Sequence, residues 1–265
     1  MTESDGLDDW VIVSRDMLSY SVPPEPPAIS FFAKVKLAIT RKGPETTTPR
    51  VVEVAKTAVT TTPVLPPKSW FESSFLQYAT LTGEDSGTGP TKFITGSGLA
   101  KFFDDIRVPL DTADAVVLCY SLHCTRPFTI TAEEYAALQG VTTCNQVTNM
   151  IPPWRAKILA SPAERKSFFL FCFGFFRDEA TSVAVSWETA VSVWQSVVPL
   201  LFPKYPLAQL ICFTSVTYKK PITKDVWRGV FELMTIHPTG DFKTFDESSA
   251  WPTFVDDLIA DAKKC

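Results

Sequence analysis

The chain has 265 residues, a formal net charge of −4, and 45% hydrophobic residues. This composition suits a globular protein with a sizeable core, and the acidic balance argues against a dedicated nucleic-acid binder, which carries a basic field. The densest apolar run, residues 168–176, is about half of the roughly 18 residues that a membrane-spanning helix needs, so we expect neither nucleic acid nor membrane as a partner.

The first 69 residues differ in composition from the rest. Nine of the 21 prolines lie between Pro23 and Pro67, and two threonine runs, 46–48 and 60–62, fall in the same stretch. Such a segment can bury little apolar surface. We therefore predict a disordered Pro/Thr-rich tail over 1–69 and one helical domain over 70–265.

The N-terminal residues are acidic and contain no apolar stretch of signal-peptide length. The six cysteines include no C-x-x-C pair, which favours reduced thiols. We expect a cytoplasmic or nuclear protein.

Helix signals dominate from Trp70 onward. Thr131–Glu134 and Ser161–Glu164 fit capping boxes, and the second has Pro162 at the first helical position. Apolar residues then recur at helical spacing at Phe168, Phe171, Cys172 and Phe175, which predicts a buried central helix. Three more helices are predicted over 187–202, from Thr223 through Met234, and from Pro252 through Ile259. The fold class is all-α, with seven to ten helices and no repeat of solenoid period.

One segment, residues 99–139, has the helix–loop–helix layout of an EF-hand. Calcium binding there requires carboxylates in the loop. The loop between Cys124 and Thr131 contains none. We predict an EF-hand-like packing unit without calcium, and no cofactor or metal.

Candidate catalytic groups are sparse. The glycine-rich stretches 86–92 and 95–98 match neither phosphate-binding pattern. A thiol enzyme would need Cys119 or Cys124 with one of the only two histidines, His123 or His237, as its base. Buried structural thiols are the favoured interpretation, and the thiol enzyme remains as a rival. The adjacent acids 104–105 and 256–257 are typical of a solvated face.

The acidic segment 225–261 holds eight acids and two bases, interleaved with Trp227, Phe231, Trp251 and Phe254. It is either a solvated surface over a core or a docking face for a basic partner. Charge alone leaves both interpretations open.

Three blocks in this segment carry a family resemblance: Lys224–Trp227, Phe245–Pro252 and Val255–Asp257. They resemble the C-terminal signature of the defective-in-cullin-neddylation proteins, whose potentiating-neddylation (DCUN) domain is matched more loosely over about 70–262. The resemblance implies an all-helical fold with calcium-free EF-hand-like units. It also implies a non-catalytic scaffold that holds a cullin and a modifier-charged conjugating enzyme together, so that a ubiquitin-like modifier reaches a cullin lysine without a covalent intermediate on the scaffold.

The resemblance also assigns two sites. Asp225, Ala250 and Asp256 match the family's patch for the cullin C-terminal winged-helix region. The pocket for the acetylated N-terminal Met of the conjugating enzyme would be formed by Leu99, Phe103, Val117, Leu118, Tyr120, Cys124, Phe128, Ile130, Phe175 and Val193, with Ser196 beside them.

Several pocket positions depart from the family pattern, namely Tyr120, Cys124, Val193 and Ser196. The alternative is therefore a cullin-binding adaptor of the same fold without conjugating-enzyme recognition. In either case we expect a monomer.

The family often carries a ubiquitin-associated domain or a lipidation signal at its N-terminus. We expect neither, since the chain starts Met1-Thr2 rather than Met-Gly. Residues Asp8–Val13 resemble a short autophagy-receptor docking motif, a pattern that is also frequent by chance.

Overall fold

The computed structural model describes residues 70–80, 93–177 and 181–263. In these ranges the chain forms ten α-helices: α1 Trp70–Thr80, α2 Gly96–Asp105, α3 Ala113–Ser121, α4 Ala132–Tyr135, α5 Cys144–Leu159, α6 Pro162–Phe175, α7 Trp187–Leu201, α8 Leu207–Cys212, α9 Lys224–Ile236 and α10 Thr253–Ala262. A 3₁₀ turn follows α4 at Ala136–Leu138, and a π-helical segment, Phe213–Tyr218, continues α8. The predicted all-α class is confirmed. The predicted tail, the Asp8–Val13 motif and the glycine-rich stretch 86–92 lie outside the described residues.

Four short strands organise the helices into two units. Strand β1, Phe93–Thr95, pairs antiparallel with β2, Thr129–Thr131, and β3, Ala184–Val185, pairs antiparallel with β4, Ile222–Thr223. Each strand leads directly into a helix. The result is two pairs of EF-hand-like helix–loop–helix units, here called the first pair (residues 70–138) and the second pair (residues 162–236).

The same two-residue pattern ends each strand. A fully buried aliphatic residue is followed by a Ser or Thr that begins the next helix: Ile94-Thr95, Ile130-Thr131, Val185-Ser186 and Ile222-Thr223. The aliphatic residues pair across the strands, Ile94 with Ile130 and Val185 with Ile222. They are 36 and 37 residues apart in the chain. This repeat escaped the sequence analysis because two residues are too short a signal to stand out alone.

Helix α6 is central, as its periodicity predicts. Phe168, Phe169 and Cys172 are fully buried. The backbone carbonyl of Phe169 accepts a hydrogen bond from Trp227 Nε1 at 2.8 Å, and the rings of Trp227 and Trp194 lie 5.2 Å apart. These contacts join α6, α7 and α9 into the core of the second pair.

Helix α5 connects the two pairs. Arg155 in α5 forms an ion pair with Asp114 in α3. Thr148 Oγ1 donates a hydrogen bond of 2.6 Å to the carbonyl of Ile106, just after α2. These two contacts hold the first pair against α5.

Candidate functional sites: an acidic patch and an apolar pocket

The predicted cullin-binding patch lies at the contact between α9 and α10. Asp225 is in the first turn of α9, Asp256 is in the first turn of α10, and Ala250 lies in the loop that precedes α10. All three residues are exposed. Exposure is the first property that a docking patch requires.

Gly229 brings the two helices close together. A Cβ atom at this position would lie 2.9 Å from Pro252 Cγ and 3.3 Å from Val255 Cγ2, so only glycine permits this approach. Gly229 is one turn after Asp225 on the same side of α9. Since Pro252 follows Ala250 by two residues and Val255 directly precedes Asp256, the three patch residues surround one helix contact. The sequence analysis did not single out Gly229.

The loop before α10 is ordered by its own polar groups. Asp246 accepts hydrogen bonds from Ser248 Oγ at 2.6 Å, from Ser249 Oγ at 2.7 Å and from the backbone N–H of Ser248 at 2.9 Å. These hydrogen bonds hold the pKa of Asp246 below its ordinary value, and the bond from the Ser248 side chain is the largest cause. The rings of Phe245 and Trp251 stack at 5.5 Å. Asp246, one of the acids of this segment, therefore stabilises its own loop.

Some acids around the patch form ion pairs and others do not. Glu247 pairs with Lys263, and Asp241 pairs with Lys243. Among the described residues, Asp225 and Asp256 form no ion pair, and neither do their neighbours Asp257 and Asp261. These charges remain available to a basic partner.

A groove of about 310 Å³ runs beside Asp256. Phe245 and Ile259 supply apolar surface and Asp256 supplies an unpaired carboxylate, whereas Glu247 is paired with Lys263, which also lines the groove. This combination suits a long basic side chain, whose aliphatic stem packs on apolar surface while its head meets acid.

An apolar pocket lies between the first pair and the end of α6. It is lined by five of the ten residues predicted for the conjugating-enzyme pocket, Leu99, Phe103, Phe128, Ile130 and Phe175. The remaining wall is formed by six residues that the sequence analysis did not include: Leu110, Ala115, Val116, Cys119, Thr129 and Phe176.

The other five predicted residues lie elsewhere. Val117, Leu118 and Val193 are fully buried in the core, and Cys124 is buried beyond the end of α3. Tyr120 packs its ring on Phe168 and Phe171 of α6. The reason is the rotation of α3 about its axis, since Ala115, Val116 and Cys119 of this helix line the pocket. The family resemblance identifies α3 as a helix of the pocket wall. It does not determine which residues of α3 face the pocket, because rotation of the helix by one residue changes them.

The pocket is small. Its free volume is about 30 Å³, room for about two water molecules. A methionine side chain would enter only if a wall residue moved. Phe128 lines the pocket and is half-buried, so it lies at the boundary between the pocket and solvent. Its backbone is left-handed, with a φ of +61°.

The residues of the rival thiol enzyme are not arranged for catalysis. The hydrogen bond with the Cys119 thiol, together with burial, raises the pKa of Cys124, which is the opposite of nucleophile activation. His123 lies outside α3, which ends at Ser121, and its positive φ of 56° closes the helix. His237 is buried in the second pair, where Nδ1 lies 2.9 Å from the carbonyl of Asp241.

Across the described residues, no group of three or more His, Cys, Asp or Glu side chains is placed to hold a metal ion. The helices of the same part of the chain include none that combines the length and the apolar character needed to cross a bilayer.

Comparison with known proteins gives one family model and several relatives. A family model described as cullin binding matches residues 146–260, which include Asp225, Ala250 and Asp256. The chain is 28% identical to the defective in cullin neddylation protein 1 of Yarrowia lipolytica over 136 residues, 51% of this chain and 53% of that protein. It is 25% identical to human DCN1-like protein 5 over 177 residues, 64% and 71% of the two chains. It is 27% identical to human DCN1-like protein 4 over 191 residues, 70% and 60% of the two chains. The match therefore spans about half the length of the Yarrowia lipolytica protein.

Proposed function

We propose that this chain is a divergent member of the defective-in-cullin-neddylation family and acts in cullin neddylation by binding a cullin through Asp225, Ala250 and Asp256. One observation carries the proposal: two exposed carboxylates, which form no ion pair with any described residue, surround a close helix contact within the matched cullin-binding region. The expected partner surface is the cullin's C-terminal winged-helix region, with a basic side chain in the groove beside Asp256.

The second half of the proposal concerns the conjugating enzyme. The acetylated N-terminus of that enzyme would enter the apolar pocket of the first pair. Holding two proteins on one scaffold lowers the entropic cost of bringing the reacting groups together and raises their effective concentration. The chain would then promote transfer of the modifier without forming a covalent intermediate.

The pocket volume favours a second candidate. A pocket with room for about two waters suits a cullin-binding adaptor that does not recognise the conjugating enzyme. The two candidates share the cullin site and differ only in whether the pocket opens. In both cases we propose a monomer that works in the cytoplasm or nucleus.

Binding of a cullin winged-helix domain tests the shared site. The variant Asp225→Ala/Asp256→Arg should weaken binding at least about tenfold, since loss of a desolvated charge pair costs about 2–5 kcal/mol. Wild-type binding should also weaken with added salt, because exposed charges are screened. Calorimetry at low and high salt measures both effects.

The control is Asp104→Ala/Glu133→Arg, which makes the same charge change at two exposed residues of the first pair. This variant should bind like the wild type. Equal weakening by both double variants would reduce the effect to net charge and remove the patch from the proposal.

A modifier-transfer assay separates the two candidates. Stimulation of transfer that requires an acetylated N-terminus on the conjugating enzyme would support the scaffold. Cullin binding without stimulation would support the adaptor.

A further inference from the structure

The second loop of the first pair has the register of a calcium-binding EF-hand. In such loops of twelve residues, position 12 is a Glu that binds the ion with both oxygens, and position 6 is a Gly that permits a sharp turn. Counting Glu134 as position 12 makes His123 position 1, Thr125 position 3, Phe128 position 6 and Thr131 position 9. The loop predicted from sequence ended at Thr131 and therefore left out the two carboxylates at positions 11 and 12, Glu133 and Glu134.

Glu134 makes hydrogen bonds where an EF-hand glutamate would bind the ion. Its Oε1 accepts the backbone N–H of Thr125 at 2.7 Å and the hydroxyl of Thr125 at 2.9 Å. Its Oε2 accepts the backbone N–H of Thr131 at 2.8 Å. One carboxylate thus closes the loop from position 3 to position 9. Hydrogen bonds to a charged acceptor are among the stronger ones in proteins.

The segment between these two threonines forms one wall of the pocket. Phe128, Thr129 and Ile130 all line it. Phe128 has a φ of +61° at the position where an EF-hand has glycine. A bulky residue rarely adopts this conformation. Strand pairing at Thr129 holds the chain directly after Phe128, and Glu134 hydrogen-bonds to the chain on both sides of it, at Thr125 and Thr131.

We infer that Glu134 is a positioning residue that fixes Phe128 at the pocket and so determines the pocket's shape. The carboxylate holds the loop closed by hydrogen bonds, as a bound cation does in a calcium-binding EF-hand. The part of this inference that concerns the conjugating enzyme rests on the proposed function, whereas the effect on the pocket itself does not.

Alkylation of cysteines in the full chain measures the pocket directly. Cys119 lies half-buried on the pocket wall, Cys212 is exposed, and Cys172 is fully buried in α6. In Glu134→Gln, iodoacetamide should modify Cys119 about tenfold faster, as expected for the loss of hydrogen bonds to a charged group. Cys212 should be unchanged and Cys172 should stay protected, as measured by site-resolved mass spectrometry.

Glu164→Gln is the matched control. Glu164 has the same position in α6 that Glu134 has in α4, three residues after a hydroxyl cap, and its backbone N–H bonds to Ser161 Oγ at 3.1 Å. It should leave the rate at Cys119 unchanged. A rate at Cys119 that also stays unchanged in Glu134→Gln would overturn the inference. Modification of Cys119 and Cys172 in step would overturn it as well, because the effect would then be global unfolding.

Phe128→Gly provides a second variant that keeps the hydrogen bonds of Glu134. Glycine adopts a positive φ without strain, so the loop should keep its form while the ring is lost. Cys119 should again react faster. An unchanged rate would mean that the ring does not cover the pocket, and the inference would fail.

Peptide binding then connects the pocket to its proposed ligand. An N-acetylated peptide from the conjugating enzyme should bind Glu134→Gln about tenfold more tightly than the wild type, because release of Phe128 opens a pocket that is otherwise too small for a methionine side chain, while cullin binding stays unchanged. If the wild type binds no such peptide, the conjugating-enzyme part of the proposed function fails, but the thiol result still decides the role of Glu134.

Discussion

The two EF-hand-like pairs share a strand pattern but stabilise it differently. In the first pair, a carboxylate closes the second loop, and the rings of Tyr135 and Phe102 meet edge to face at 5.8 Å. In the second pair, Trp194 and Trp227 fill the centre, and Phe254 of α10 packs on Trp194 at 6.3 Å. The first pair and the end of α6 surround a pocket, whereas aromatic rings fill the centre of the second pair, which supports a patch on its outside.

This difference separates two kinds of binding site. A site inside a fold needs a wall that can be fixed or can move. In the first pair, the loop that is closed by a carboxylate is such a wall. A site on the outside needs a rigid base, and the aromatic core beneath α9 and α10 provides it. Four predictions test this comparison.

The largest effect is expected at the centre of the second pair. Trp227→Ala removes a fully buried ring and its hydrogen bond to Phe169. It should cost about 3–5 kcal/mol of unfolding free energy, measured by chemical denaturation. Trp187→Ala, at a half-buried residue of α7, is the control and should cost clearly less. A loss below about 1 kcal/mol for Trp227→Ala would contradict a solid core, given typical costs.

The paired strands should respond alike in the two pairs. Ile130→Ala and Ile222→Ala remove equivalent buried side chains, so each should cost about 2–5 kcal/mol. Hydrogen exchange of each variant shows where the loss falls. If protection from exchange is lost only around the mutated strand, the two pairs unfold independently. If protection is lost in both pairs, they unfold as one unit.

The helix caps give a smaller and sharper test. Thr131 and Thr223 each accept a hydrogen bond from the backbone of the new helix, but Thr95 makes no such bond with its side chain. Thr131→Ala and Thr223→Ala should each cost about 1 kcal/mol. Thr95→Ala should cost only a few tenths, consistent with a cap that makes no bond. Equal losses at all three positions would mean that the hydroxyl bonds are not the cause.

The smallest effect concerns the pKa of Asp105 in the first pair. Its hydrogen bond from Lys101, followed by that from Tyr78, holds this pKa below the ordinary value of 3.8. Because the folded pKa is lowered, the stabilisation is present above pH 3.8 and is lost as the pH falls through the folded pKa.

Lys101→Met should raise the pKa of Asp105 more than Tyr78→Phe does, since the Lys101 bond is the larger cause. Titration followed by NMR measures both shifts. An unchanged pKa in both variants would show that neither bond acts on the ionised carboxylate.

Local signals predicted much of the helical framework. The hydroxyl caps at Thr131, Ser161 and Thr223 begin helices as expected, because a cap is satisfied within four residues of chain. The run at residues 168–176 forms the buried helix that its spacing predicts, because apolar periodicity records which face is hidden. The exposure of Asp225 and Asp256 follows from the same logic on α9 and α10.

Other features depended on contacts between distant segments. The rotation of α3 decided that Val116 and Cys119, rather than Val117 and Tyr120, line the pocket. A one-residue rotation changes the contacts of a helix without changing its periodicity. The role of Glu134 depended on its contact with Thr125, nine residues away across the loop, which a capping box does not predict.

The sequence by itself therefore determined the all-α class, the buried face of α6 and the hydroxyl caps that begin three helices, since each depends on neighbours along the chain. Only the tertiary structure decided the pocket wall, the closing of a calcium-type loop by a carboxylate, and the seam at Gly229 that brings the patch together. Each of these depends on the relative position of separate elements, which packing sets and local sequence does not encode.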